Sequence, residues 1–366
     1  MSLGRFYACH TLSKKLSMAA LYGIEGIEIF YDDLANLADP PILANLLTAA
    51  DQVHALCKNL GLAIICLQPF MHYEGLLDRA RHEERISDMK TWITLAQALH
   101  TDLILIPSSF LPAHEISSDI SLIVSDLQEV SELGLQQSPP IRLSYESLCW
   151  GTYIDKWEQS WDIVQRVDRP NFGLCLDTFN ILGRIYADPA SSTGCTVDAE
   201  EAVQHCIRNL ISSLKHNVHK IFLLQLVSAE RLTTPMSPSH SFHRPGQPAR
   251  MSWSRNCRLF YGEAERGAYL PVKQVAEAIV KEIGYRGWVS AELFSRDMER
   301  PGEGVVEELS ERASASWSRF MTDMNMGSIL HGEEGFQEKR QRIDSVTENG
   351  VQGSSGRETG IGCYKN

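Results

Sequence analysis

No stretch of this chain approaches the ~20 consecutive apolar residues that a membrane-spanning helix needs, and no basic-then-apolar leader opens it. Both absences lead to the expectation of a cytoplasmic protein with no membrane partner. No G-x-G-x-x-G or Walker A loop follows the first apolar run, which excludes the phosphate cradles that bring backbone close to a nucleotide at a helix N-terminus. Pairs of the C-x-x-C kind are missing as well. The nine cysteines are scattered, several inside apolar runs (Cys9, Cys66, Cys175). They read as reduced thiols acting as small hydrophobes, not as a disulfide framework or a thiolate zinc site. No block of like charge stands out: Lys+Arg total 34 against 46 Asp+Glu, for a net charge of −12. That balance argues against nucleic acid as a partner and leaves oligomerisation open.

What the chain does contain is eight short apolar runs, at 6–9, 26–30, 62–67, 103–107, 141–145, 172–176, 221–224 and 288–291. Most lack polar alternation, as expected for parallel strands buried on both faces. Stretches with helical spacing separate them, at 41–60, 78–100, 113–133, 197–217 and 271–284. In 78–100 the apolar positions Ile86, Met89, Ile93, Leu95, Ala96 and Leu99 favour one side, and Arg79, Arg81, Glu83, Glu84 and Lys90 the other. Strand-helix alternation allows an open doubly wound sheet or a closed barrel. Eight repeats and the missing phosphate loop favour an α/β fold of the (β/α)8 TIM-barrel kind over residues 1–325.

In such a barrel chemistry sits where strands end, and the last four runs each end beside a metal-friendly side chain: Glu146, Asp177, Gln225 and Glu292. An acid at a strand end can equally be a helix cap. Gln225 is more telling, because an unpaired amide inside Ile-Phe-Leu-Leu-Gln-Leu-Val costs ~1–3 kcal/mol and needs a partner, a cation or a ligand. A buried carboxylate such as Glu292 must be paired, protonated or coordinated. Four oxygen ligands without sulfur suit Mg²⁺, Mn²⁺ or Co²⁺. Cys149 lies just past Glu146, without an identifiable histidine to activate it.

These residues carry a resemblance. The chain resembles the sugar phosphate isomerase and epimerase superfamily of TIM barrels, xylose-isomerase-like in fold. Within it the chain is similar to the fungal 3-dehydroshikimate dehydratases of quinate catabolism. The matching segments run from about residue 6 to 322. They include Gly26-Ile27-Glu28-Ile29-Phe30, Leu67-Gln68-Pro69-Phe70, Tyr73-Glu74-Gly75, Tyr145-Glu146, Cys175-Leu176-Asp177-Thr178-Phe179-Asn180, Leu224-Gln225-Leu226 and Ser290-Ala291-Glu292-Leu293-Phe294-Ser295-Arg296. The resemblance implies dehydration of 3-dehydroshikimate to protocatechuate with a divalent cation on Glu146, Asp177, Gln225 and Glu292. Asn180 stands where bacterial relatives often carry a histidine, so that histidine's proton-transfer role does not transfer. The bacterial dioxygenase-like extension is not found, which implies the single-domain form.

The chemistry needs a cation beside the ketone, a base for C4–H, an acid for the leaving hydroxyl and a positive group for the substrate carboxylate. His72, after the third run, and His10, after the first, are the proton-transfer candidates, imidazole being the usual shuttle near neutral pH. Arg258, in a segment resembling the family's Arg-x-Phe-Pro-Gly-Glu, is the candidate carboxylate contact, with Arg231 and Arg255 as alternatives. Glu28 and Gln68 join it as candidate substrate contacts, although Glu28 would serve equally to orient a histidine or as a structural acid. Residues 228–268 are too long for an ordinary connection and read as a lid. Pro301-Gly302-Glu303-Gly304 reads as a turn opening the final helix. Residues 326–366 have the composition of a disordered tail, with at most a short helix at 337–343. Two other readings stay open: a keto-sugar isomerase or epimerase on the same barrel, and a non-catalytic metabolite sensor. A DNA-repair endonuclease would need a histidine-rich zinc cluster and a basic face, and the sequence has neither.

Overall fold

The computed structural model describes residues 2–302, 304–326, 340, 341 and 343. Seven of the eight apolar runs become strands: β1 Gly26–Phe30, β2 Ala63–Gln68, β3 Leu103–Pro107, β4 Arg142–Glu146, β5 Phe172–Asp177, β6 Ile221–Gln225 and, last in the chain, β9 Val289–Ser290. They form one parallel sheet in the order β1-β2-β3-β4-β5-β6-β9. A separate antiparallel pair, β7 Val227–Ala229 and β8 Arg258–Phe260, stands beyond β6. The sheet curls into a nearly closed barrel, but among the described residues no hydrogen-bonded ladder joins β9 to β1.

The run 6–9 is a correction: Phe6–Ala8 is a 3-10 turn. Within it the amides of Ala8 and Cys9 turn back to Arg5 O and Phe6 O, and His10 N after it to Arg5 O, local bonds in place of a ladder. Cys9 adopts the left-handed region (φ 66°), and it is exposed and disulfide-bonded rather than a buried thiol. The other cysteines described, Cys57, Cys66, Cys149, Cys175, Cys195, Cys206 and Cys257, are free.

Helices pack between the strands as the spacing predicts, at Leu43–Leu60, Arg79–Ala98, Ile120–Leu135 and Ala199–Leu214, with a shorter Val272–Glu277 before β9. Asp78 and Asp119 open two of them by accepting amides of the first turn, from Ala80 and Arg81 and from Ser121. Arg79–Ala98 buries Ile86, Met89, Ile93, Leu95 and Ala96, as its amphipathic pattern requires. Leu12–Leu21, Tyr31–Leu37, Trp157–Val167, Thr178–Ile185 and Ala249–Cys257 are helices without a sequence counterpart above, and the closing helix is Gly304–Met324. No described helix is long and apolar enough to cross a membrane. Glu303 and most of the tail, including 337–339, lie outside the described residues. Arg340, Gln341 and Ile343 are helical, and Ile343 is buried in the main core.

Strand alternation decides what reaches the site. Ile104 and Ile106 belong to the large core that joins strands to helices, whereas Leu103 and Leu105 join Cys66, Cys175 and Leu223 in a small cluster built of strand residues. The second set is therefore the inward face. Two residues further along, the same face carries Gln68 after Cys66, Asp177 after Cys175 and Gln225 after Leu223. The apolar interior gives way to a polar layer at the C-terminal mouth.

Candidate active site

At that mouth Glu146, Asp177 and Glu292 bring one carboxylate oxygen each to within 4.8 Å of one another. Glu146 ends β4 and Asp177 ends β5; Glu292 follows β9 by two residues. All three are buried. Burial, then repulsion from Glu292 and Asp177, raises the Glu146 pKa well above the ordinary range. Glu292 is pushed up to about 7 by burial, against the pull of Arg258. A cluster of buried acids at this spacing either holds protons or holds a cation.

Asp177 meets both readings of a strand-end acid. Its Oδ1 accepts the Phe179 amide at 2.7 Å and caps Thr178–Ile185. Its Oδ2 turns to the cluster, accepting from Asn180 Nδ2 at 2.9 Å and Arg258 Nη1 at 2.7 Å. Asn180, one helical turn on, also donates to Glu146 Oε1 at 2.7 Å, while its own carbonyl accepts the Cys149 amide at 3.0 Å. It thus ties β4 to β5, in place of any proton transfer.

Gln225 is paired in register with Asp177 and is fully buried. Its Nε2 donates to Glu28, at 3.1 Å to Oε2 and 3.3 Å to Oε1, and its Oε1 has no hydrogen-bond partner. A buried amide oxygen left bare on the strand position paired with Asp177 fits a hard divalent cation, for which all four side chains offer oxygen. The residues present therefore suit the ion that the resemblance implies.

Arg258 starts β8 and is almost wholly buried. Its Nη1 donates to Asp177 Oδ2, to Glu292 Oε2 at 3.1 Å and to the Glu292 carbonyl at 3.3 Å. Nε donates to Ser254 Oγ at 3.0 Å, and the guanidinium lies 4.3 Å over the Phe179 ring. Burial opposes its charge, but Asp177, Glu292 and Glu146 outweigh that and raise its pKa. Nη2 carries no hydrogen bond among the described residues. The alternatives stand elsewhere: Arg231 packs on Gly194, and Arg255 is exposed near Arg5.

Glu28 and Gln68 are bonded to each other, Gln68 Nε2 to Glu28 Oε2 at 2.6 Å, and Glu28 also accepts from Ser290 Oγ. Both belong to the polar layer around the carboxylates, and their hydrogen bonds are made within the protein. His72 sits in the loop after β2 with Nδ1 3.4 Å from Ser109 Oγ and its ring against Phe110. Burial, helped by Arg85 and Arg81, lowers its pKa to about 4, so it is neutral at pH 7. His10 is buried beside Gly4, facing the backbone of Met298, Arg300 and Gly302, and burial lowers its pKa too. Among the described residues the side chains bonded to the three carboxylates are Asn180, Arg258 and Gln68, not a histidine.

The lid expected over 228–268 is narrower in the structure. Ala249–Cys257 is a largely buried helix whose Trp253 ring lies tilted 4.7 Å from that of Phe179, and Glu230 is held by the Cys257 carbonyl and Arg296. Only 231–248 retains the character of a surface loop.

Glu74, quoted above only within the matching segment Tyr73-Glu74-Gly75 and given no role there, is a buried acid. Its Oε1 accepts Ser109 N at 2.7 Å and Tyr145 OH at 3.1 Å, its Oε2 has no partner, and burial raises its pKa to about 7. A raised carboxyl pKa means the folded state binds the proton more tightly. Stability is therefore lost as pH rises from about 4.5 to about 7, by about 3 kcal/mol. Glu74→Gln, neutral at every pH, is expected to match wild type near pH 4 and to exceed it at pH 8 by up to that amount in urea unfolding. A difference that does not change with pH would remove this account.

A parallel αβ-barrel with a cluster of buried carboxylates at its C-terminal mouth, spaced so that they could hold a metal ion, defines a class of barrel enzyme folds. Residues 16–315 match the family described as xylose isomerase-like TIM barrel, and the chain belongs to that family. It is 54% identical over 336 residues to the 3-dehydroshikimate dehydratase of Neurospora crassa, covering 89% of this chain and 93% of the relative. It is 30% identical over 285 residues to the 3-dehydroshikimate dehydratase of Pseudomonas aeruginosa, covering 78% of this chain but only 36% of that longer protein. Among solved structures, a xylose isomerase-like TIM barrel/4-hydroxyphenylpyruvate dioxygenase fusion protein superposes with a TM-score of 0.67 at 26% identity, over 89% of this chain and 42% of that one. The zinc-bound IOLI protein shares the fold, with a TM-score of 0.62 at 18% identity over 87% of this chain and 95% of that one.

Proposed function

We propose that this protein dehydrates 3-dehydroshikimate to protocatechuate and water, with a divalent cation on Glu146, Asp177, Gln225 and Glu292. The observation that carries the reading is the 54% identity to the Neurospora crassa dehydratase across 93% of its length. The local chemistry agrees with it. In the substrate C4–H is α to the C3 ketone and the C5 hydroxyl is β to it, so elimination removes C4–H and the C5 hydroxyl as water. Proton loss from C6 to the ketone oxygen then completes the aromatic diol. A bound cation supplies Lewis acidity at the ketone.

The chain supplies the rest. His72, neutral at pH 7, is the proton-transfer group of this reading. Arg258, its Nη1 fixed by Asp177 and Glu292, offers Nη2 to the anionic substrate. Asn180 keeps Glu146 and Asp177 together. The test is the ultraviolet absorbance of protocatechuate after 3-dehydroshikimate is added to purified protein, with EDTA and then with Mg²⁺ or Mn²⁺ restored. Product is expected only with the ion present. A folded, metal-loaded protein that forms none would put keto-sugar isomerisation first.

A further inference from the structure

We infer that Glu28 is a positioning residue that turns the carbonyl oxygen of Gln225 toward the cation, an inference that rests on the metal site proposed above. The two ends of a glutamine amide have nearly the same shape, so which end faces a site is decided by its partners. A carboxylate facing other donors only accepts. Glu28 lies 3.1 Å and 3.3 Å from Gln225 Nε2 and also takes hydrogen bonds from Gln68 Nε2, at 2.6 Å, and Ser290 Oγ. With those donors converging on it, Glu28 holds the nitrogen end of Gln225 and leaves the oxygen end pointing elsewhere. That oxygen is the one found buried without a partner.

Placement supports the role. Glu28 comes from β1 and Gln225 from β6, 197 residues apart, across the side of the barrel where no backbone ladder runs. Gln225 in turn is the register partner of Asp177, a member of the carboxylate cluster. Without Glu28 the amide loses the carboxylate that its nitrogen is bonded to among the described residues. A flipped Gln225 would present two N–H donors to a cation, which no cation site accepts.

The test is calorimetric titration of Mn²⁺ into the full-length chain after removal of metal with EDTA. Four proteins are compared: wild type, Glu28→Ala, Gln225→Ala and the double variant, each checked for unchanged far-ultraviolet circular dichroism. Loss of an orienting partner typically weakens metal affinity about 10–100-fold, and Glu28→Ala is expected to do so. In the Gln225→Ala background the same change is expected to cost nothing further, because its route to the ion is gone. Equal affinity of Glu28→Ala and wild type would overturn the inference. So would a full penalty in the double variant, which would mean that Glu28 acts as charge alone. Should Glu28→Ala fail to fold, Glu28→Gln keeps the shape and is read through the same cycle, with a smaller loss in the wild-type background and none with Gln225→Ala. Wild type that binds no Mn²⁺ overturns the metal reading itself, and the inference with it.

Discussion

Glu292→Gln is expected to reduce dehydration of 3-dehydroshikimate at least about a hundredfold, more than outer partners of a metal ligand usually cost, while leaving the fold intact. The two halves of this expectation come from different observations. Loss of activity follows from removing one of three carboxylates that converge within 4.8 Å. Retention of the fold follows from burial, which already pushes Glu292 up to about 7. Without a cation the folded protein holds a proton there more readily than a free carboxyl does, and Gln is close in shape. Arg258 loses one acceptor but keeps Asp177 at 2.7 Å. The measurement is product absorbance together with metal content and a thermal melt. An active Glu292→Gln protein with normal metal content would remove the central reading of the site.

The second large effect is on stability alone. Glu263 belongs to the segment that resembles a family motif, yet the structure turns it away from the carboxylate cluster to the closing helix. There Arg312 grips it with Nε at 2.7 Å and Nη2 at 3.0 Å, and its Oε2 also accepts the Phe260 amide at 3.0 Å. Both side chains are buried. Arg312 also donates to Asp297 at 3.0 Å, so removing Glu263 leaves the buried guanidinium with one close partner, and the cost sits at the lower end of the about 3–5 kcal/mol for breaking a buried pair. Glu263→Ala is therefore expected to lower the urea midpoint by that equivalent, with metal affinity per folded molecule unchanged. A variant as stable as wild type would show that water replaces the carboxylate without loss.

The barrel was legible because most of its strands are apolar on both faces, and the site because Glu146, Asp177 and Gln225 each end a strand while Glu292 follows one by two residues. The run 6–9 has the same local composition as a strand. What separates it is where its amides go, Arg5 O and Phe6 O, and that is not written in the side chains. Asn180 was seen only as a departure from a bacterial histidine. Its contact with both Glu146 and Asp177 depends on a helix that starts directly after Asp177, and so on backbone geometry. Arg258 was found by motif, but its partners were not: a guanidinium among acids was expected to await an anion, and it is already engaged by two of them. The Glu28–Gln225 bond joins residues 197 apart, a separation at which sequence periodicity carries no information.

The gap between β9 and β1 has a mechanical meaning. A complete barrel is a hoop welded by main-chain ladders all the way round, and its circumference is set by strand number and shear. This one is welded along six joins and fastened at the seventh by side chains, Glu28 to Ser290 beside it and to Gln225 one strand further. A weld of amides and carbonyls does not change with solution conditions, whereas a fastening made of an acid, a hydroxyl and an amide answers to protons and to ions. In this molecule the side chains that bridge the open join include two that stand in the polar layer of the proposed site, Glu28 and Gln225.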